Sequence, residues 1–251
     1  MFKNPDVLWL NSNPYLLRFN LPIIKYLSKY VKIGQWEYQI NEDEGTSIDQ
    51  AIELLDDYLS LIAKPVHLIG HSTCGLLGFY YAQKYPEKVK SLTILGVGGN
   101  AGWDWVSYYY IMRSNLKCSK DIILAKLAKN LFGYHNKYYQ KAFIQLLEKA
   151  LLYSLSPHSL YQRFNLPITP ISSPLMVCGS KNDQIVSWEE IKKWQNYLKP
   201  EDYLYQCPEG EHFFHYFQPQ LLSEKIVNFW SLLSKDEANF KLMEGKVSHC
   251  I

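Results

Sequence analysis

Val66-His67-Leu68-Ile69-Gly70-His71-Ser72-Thr73-Cys74-Gly75 is the stretch on which the fold turns. Its first four residues form a short, mostly apolar run, as expected of a strand buried on both faces. Helical spacing begins at Thr73 and runs to Lys84, and Pro86 stops it. A serine held between strand and helix in so tight a turn takes strained backbone angles, and its neighbours two before and two after must be small. Gly70 meets that demand. Cys74 occupies the second small position, with Gly75 directly after it. The turn lifts the Ser72 hydroxyl clear of the strand and aims the Thr73 N–H at the same point. There the helix N-terminus adds positive partial charge. The plainer alternative is a serine that only caps the helix.

Strand and helix alternate on both sides of this turn. Val7-Leu8-Trp9-Leu10 reads as a buried strand, broken by Asn11-Ser12-Asn13-Pro14. Leu17, Leu21, Ile24 and Leu27 recur at helical spacing over 16–30, with Pro22 predicting a kink or a later start. A second strand is expected over 31–40 and a polar loop over Asn41 to Gly45. A helix follows from Ser47 to about Leu61, with Gln50 placed for a capping box. Val89 to Leu95 is the next strand, ending in Gly96-Val97-Gly98-Gly99. Such alternation predicts an α/β fold with a doubly wound, mostly parallel sheet of about six strands.

Between 100 and 168 the rhythm changes. No strand is expected, helices are expected over Asp121 to Phe132 and Tyr138 to Leu152, and aromatics crowd the segment. It leaves the sheet at a strand's C-terminal end, the edge where open α/β sheets bind ligands. A helical cap over an apolar pocket is therefore expected, with Trp103 and Trp105 in its lining. Pro167 and Pro170 close the insertion. Strands at Pro174 to Gly179 and Asp202 to Gln206, and helices at Val186 to Leu198 and Gln218 to Leu233, complete the alternation. The expected division is a core of 1–99 and 169–234, a cap of 100–168, and a polar tail of 235–251.

A serine hydroxyl needs a base and a carboxylate that orients the base. Asp183 stands just past one expected strand, in Gly179-Ser180-Lys181-Asn182-Asp183-Gln184-Ile185-Val186. His212 stands just past the next, in Gly210-Glu211-His212-Phe213-Phe214. Ser72, Asp183 and His212 then share one sheet edge in the chain order serine, acid, histidine. His215 is the competing base and Asp104 the competing acid, each with the poorer loop context. His67 reads as a core histidine and His71 as packing. Glu211 to His215 lacks the H-E-x-x-H spacing and a third ligand, so no metal is expected. Gly96 to Gly99 opens no helix as G-x-G-x-x-G would, so no dinucleotide or other cofactor is expected.

On these three segments the chain resembles the α/β-hydrolase superfamily over about residues 6 to 234. The resemblance implies Ser72 as nucleophile, His212 as general base and acid, and Asp183 as the group orienting it. It also implies an N-terminus shortened by the family's first two antiparallel strands. Where the family carries a His-Gly pair after the first strand, this chain has Asn11-Ser12, followed by Asn13. Thr73 and Asn13 are the expected oxyanion donors through their N–H groups. Asn11 and Ser12 line the substrate, and the three side chains at 11–13 are alternative donors. The implied activity is hydrolysis of an ester or thioester of a fairly apolar small molecule through an acyl-enzyme. The alternatives are a non-catalytic binding or scaffolding module, signalled by Cys74 and Asn11-Ser12-Asn13, and lyase or acyl-transfer chemistry on the same triad.

Composition removes other classes. The chain has 251 residues, 47% hydrophobic and 20% charged, with a net charge of +2. That suits a packed domain and gives no field to steer nucleic acid. Only three of the 26 basic residues are arginine, the usual fork for phosphates and base edges. Five scattered cysteines without CxxC predict reduced thiols in the cytoplasm or an equivalent reducing compartment such as a plastid stroma. The N-terminus lacks a signal-peptide core, and no apolar run is long enough to span a membrane.

Overall fold

The computed structural model describes residues 4–39, 47–100, 103–134, 136–156 and 169–247. The loop expected at 41–45, the close of the insertion at 157–168 with Pro167, and the last four residues with Cys250 lie outside them. Six strands form one sheet: β1 (Val7–Asn11), β2 (Ile33–Glu37), β3 (Val66–His71), β4 (Val89–Leu95), β5 (Leu175–Ser180) and β6 (Tyr203–Cys207). Their order is β2-β1-β3-β4-β5-β6 and every neighbouring pair is parallel. The chain leaves β1 toward β2, then crosses back to β3 on the other side of β1. The sheet therefore reverses its winding between β1 and β3, and the crevice at their C-terminal ends is the topological switch point.

Alternation along each strand divides the core between the two faces. Leu8, Leu10, Leu68, Leu92, Ile94 and Val177 belong to one cluster, shared with α2 (Ile48–Leu59), α3 (Thr73–Lys84) and the inserted helices. Val7, Trp9, Ile69, Leu95 and Met176 belong to the other, shared with α1 (Leu21–Leu27) and the last helix. Pro22 lies in the first turn of α1, where a missing N–H costs nothing, so the helix starts late instead of kinking. Ser47 caps α2 by accepting from the Gln50 N–H at 3.4 Å. The Gln50 side chain turns to the Tyr38 hydroxyl (3.3 Å), so the return half of the expected capping box is not made.

Three helices stand between β4 and β5: α4 (Trp105–Asn115), α5 (Lys120–Phe132) and α6 (Lys137–Leu152). Asp104 caps α4, its Oδ1 accepting the Ser107 N–H at 2.6 Å while Ser107 Oγ accepts the Asp104 N–H at 3.0 Å. After β5 come the short α7 (Trp188–Lys192) and a 3-10 turn at Lys193–Asn196, in place of one helix to 198. A short helix, α8 (Phe214–Phe217), precedes α9 (Pro219–Val247). Residues 235–247, expected as a tail, continue α9. Their apolar periodicity is gone, but Lys, Glu, Ala, Leu and Met are good helix formers in themselves. Among the described residues no helix is long and apolar enough to cross a membrane.

Candidate active site

Ser72 ends β3 and opens α3 with φ 53° and ψ −127°, a backbone shape that side-chain-bearing residues rarely take. The strain is held from several directions. The Ser72 N–H donates to Leu95 O at 2.8 Å, and the Ser72 carbonyl accepts from Gly75 N at 2.9 Å. Gly70 is obligatory, because a Cβ there would overlap the Cys74 carbonyl of the returning helix. The turn lies at the switch point, facing the Asn11-Ser12-Asn13 loop after β1. Thr73 opens the helix, so its N–H has no partner within α3.

Asp183 and His212 reach the same edge from the loops after β5 and β6. His212 Nδ1 donates to Asp183 Oδ2 at 2.8 Å, and both side chains are buried. The other carboxylate oxygen accepts the N–H groups of Ile185 (2.7 Å) and Val186 (3.0 Å), so the loop wraps its own acid. With the proton on Nδ1, His212 Nε2 carries the lone pair. Nε2 and Ser72 Oγ are both buried, and neither makes a hydrogen bond. The imidazole packs against the strand end next to Ser72: a Cβ on Gly96 would lie 3.1 Å from His212 Cε1. Gly96 itself has φ 66°.

The His212 loop is anchored to the inserted helices. Phe213 N–H donates to Leu131 O at 3.3 Å, and the Phe213 ring stacks on Phe132 at 4.7 Å. Glu211, at φ 48°, accepts from Asn182 Nδ2 at 3.2 Å. Burial, then the charges of Glu209 and Asp183, push its carboxyl upward in pKa.

The histidines beside His212 are structural donors. His71 Nε2 donates to the His212 carbonyl at 2.9 Å, and burial holds His71 well below its ordinary pKa, hence neutral. His215 Nε2 donates to Asn20 Oδ1 (2.9 Å), and Asn20 Nδ2 donates to Asn11 Oδ1 (2.7 Å). Burial, helped by His212, pushes His215 down to about 3. The chain of donors runs toward Asn11 and turns its amide nitrogen away from Asn20. His67 Nδ1 meets Ser91 Oγ at 2.6 Å within the core. Among the described residues no three His, Cys, Asp or Glu side chains group as a metal site requires.

The loop after β1 differs from expectation at Asn13. Its Oδ1 accepts the Tyr15 N–H at 3.1 Å, and its Nδ2 donates to Ala150 O and Ser154 Oγ, each at 2.8 Å. The Asn13 carboxamide therefore joins this loop to the end of α6 and is not free to donate to an oxyanion; only its N–H remains for that. Ser12 Oγ accepts from Cys74 Sγ at 3.0 Å. Burial pushes the Cys74 thiol up to about 12, so Cys74 is a protonated packing group rather than a reactive thiolate. Asp104 is buried beside the Ser72 turn, where its Oδ2 accepts from Thr73 Oγ1 (3.1 Å) and Ser156 Oγ (3.0 Å). It holds helices and turn together and makes no bond to His212.

A cavity of about 50 Å³, measured for the centres of water-sized groups, opens on Ser72 and Thr73. Asn11, Ser12 and Asn13 line it, and so does Trp105; Trp103 does not. Neutral polar side chains outnumber apolar ones in the lining, which corrects the expected apolar pocket: most of the insertion's aromatics pack on one another or on the core. Asn20, Ser154, Leu155 and Phe213 also line it. Phe213 lies in the segment that marked His212; no sequence signal marked the other three, which reach the cavity only through the tertiary fold.

Comparison with known proteins agrees with this fold. The family model for the alpha/beta hydrolase fold matches residues 59–111, which span the Ser72 turn. "Uncharacterized protein alr2406" of Nostoc sp. is 43% identical over 92% of this chain and 93% of its own length. "Uncharacterized protein sll0249" of Synechocystis sp. is 37% identical over 93% of each. The meta-cleavage product hydrolase CumD from Pseudomonas fluorescens superposes with a TM-score of 0.67 at 13% identity, covering 90% of each chain. The chain belongs to the α/β-hydrolase superfamily. Two Bacillus subtilis α/β hydrolases have the same fold. Naproxen esterase has a TM-score of 0.67 at 16% identity, over 92% of this chain and 85% of its own. Carboxylesterase CesB has 0.70 at 13%, over the same shares. At such identities the likeness is one of fold.

Proposed function

We propose that this α/β hydrolase is a serine hydrolase that cleaves an ester or thioester through an acyl-enzyme. The observation that carries the reading is the strained turn at Ser72 beside an imidazole already bonded to a wrapped carboxylate, its ring 4.6 Å from that of His71, the residue before Ser72. Ser72 Oγ attacks the carbonyl carbon as His212 Nε2 takes its proton. The carbonyl oxygen becomes an oxyanion, met by the Thr73 N–H and the N–H of Asn13. When the tetrahedral species collapses, the bond to the alcohol or thiol breaks and that group leaves with the proton from His212. Water then repeats the sequence: His212 takes its proton, hydroxide adds to the acyl carbon, and Ser72 regains its hydrogen as the acid departs. Asp183 keeps the proton on Nδ1 and balances the imidazolium.

Ser72 and His212 make no bond here, and catalytic hydrogen bonds often tighten only around bound substrate. The α4–α6 segment serves as the cap that excludes water from the reaction. A fluorophosphonate probe tests the assignment. The folded protein gains the adduct mass on the Ser72 peptide, and Ser72→Ala and His212→Ala proteins do not. A folded wild-type chain that stays unlabelled refutes the reading and leaves the binding-module alternative.

A further inference from the structure

The geometry points to a short, uncharged acyl group of about two to four carbons as the part of the substrate held at Ser72, with Leu155 setting the limit. This rests on the serine-hydrolase reading above and adds the substrate class. The cavity at Ser72 measures about 50 Å³ for the centres of water-sized groups. A single water needs roughly 10–15 Å³ by that measure, so the space admits about four heavy atoms. Leu10, Leu16, Trp105, Leu155 and Phe213 are its apolar walls, and no lining side chain carries a charge. His71, its one titratable imidazole, is held neutral by burial. An acyl chain ending in carboxylate or ammonium would find no counter-charge.

Leu155 is 1% exposed and cannot swing aside alone, because its neighbours on both sides are tied down. Upstream, Asn13 Nδ2 holds Ala150 O and Ser154 Oγ, each at 2.8 Å. Downstream, Ser156 Oγ donates to Asp104 Oδ2 at 3.0 Å. Asp104 also accepts from Thr73 Oγ1, in the nucleophile turn itself. The wall is thus tied to the same two loops that supply the oxyanion donors. A longer acyl chain that runs toward the end of α6 meets Leu155, and displacing it strains these bonds.

Alkyl p-nitrophenyl phosphonates with ethyl, butyl and octyl arms test this. Each forms an Oγ–P bond at Ser72 and expels p-nitrophenolate, so the alkyl arm probes the acyl side without any need for turnover. Ethyl and butyl reagents are expected to react at least about tenfold faster than octyl. Leu155→Ala is expected to raise the octyl-to-ethyl ratio about tenfold, and Leu155→Val to raise it less, which serves if the alanine variant does not fold. Octyl reacting as fast as ethyl in the wild type overturns the size limit while leaving Ser72 a nucleophile. An unchanged ratio in the folded Leu155 variants overturns the role of Leu155. No reaction at Ser72 with any reagent removes the hydrolase reading, and this inference with it.

Discussion

Asp183 divides its two carboxylate oxygens between jobs. One holds His212 Nδ1, and the other accepts two N–H groups of its own loop. Asparagine keeps an oxygen for the loop but offers the imidazole an amide in place of a carboxylate. Asp183→Asn is therefore expected to melt within a few degrees of the wild type while ester turnover falls by about 10⁴. Activity within about tenfold of wild type would show that His212 needs no orienting charge. Ser72, Asp183 and His212 were legible in the sequence because each stands just past a run of strand residues, and strand ends of a parallel sheet converge. Asn13 was only half legible. Its place after β1 marked it, but its side-chain partners Ala150 and Ser154 lie far along the chain and carry no pattern of their own.

At the level of elements, the inserted helices meet the core through two seams. One is polar, between the loop after β1 and the end of α6. The other is aromatic: Phe19 packs on Phe132 at 4.7 Å and on Phe213 at 5.2 Å, and Phe132 stacks on Phe143 at 4.5 Å. Cutting the polar seam with Asn13→Ala removes the donor to Ala150 O and Ser154 Oγ, which keep only their bond to each other at 2.7 Å, and removes the acceptor of the Tyr15 N–H. A loss of about 1–3 kcal/mol in stability is expected, with faster amide exchange at the end of α6 than in β3. A variant as stable and as protected as the wild type would mean the seam is incidental. The insertion itself was legible as helix, since residues 100–156 show no strand pattern. The polar character of its cavity was not, because aromatic content says nothing of which way a ring faces.

Over the whole molecule, the buried histidines couple stability to acidity. Burial, reinforced by Lys90, pushes His67 down to about 3, and burial with His212 does the same to His215. An unfolded chain protonates both near pH 6.5, whereas the folded chain resists until about pH 3. Their contribution to stability is complete above pH 6.5 and drains as pH falls toward 3. The slope is roughly 1.4 kcal/mol per pH unit for each histidine. The melting temperature is expected to drop steadily below pH 6, and a flat profile from pH 7 to pH 4.5 would contradict the burial of both rings. The doubly wound architecture was legible from alternation alone, including the short parallel strands. The switch point was not, because strand order depends on which crossover packs where, and no local pattern records it.

The backbone at position 72 has a last consequence. Ser72 is twisted into angles that glycine tolerates far better, and its hydroxyl is shut away without a partner. Ser72→Gly should relieve about 1–3 kcal/mol of torsional cost and raise the melting temperature while ending all reaction with phosphonates. A glycine variant that melts lower than wild type would show the twist to be free of cost. A chain with glycine at this position would be the sturdier of the two. Abundance and solubility would then report nothing about whether a given copy still works.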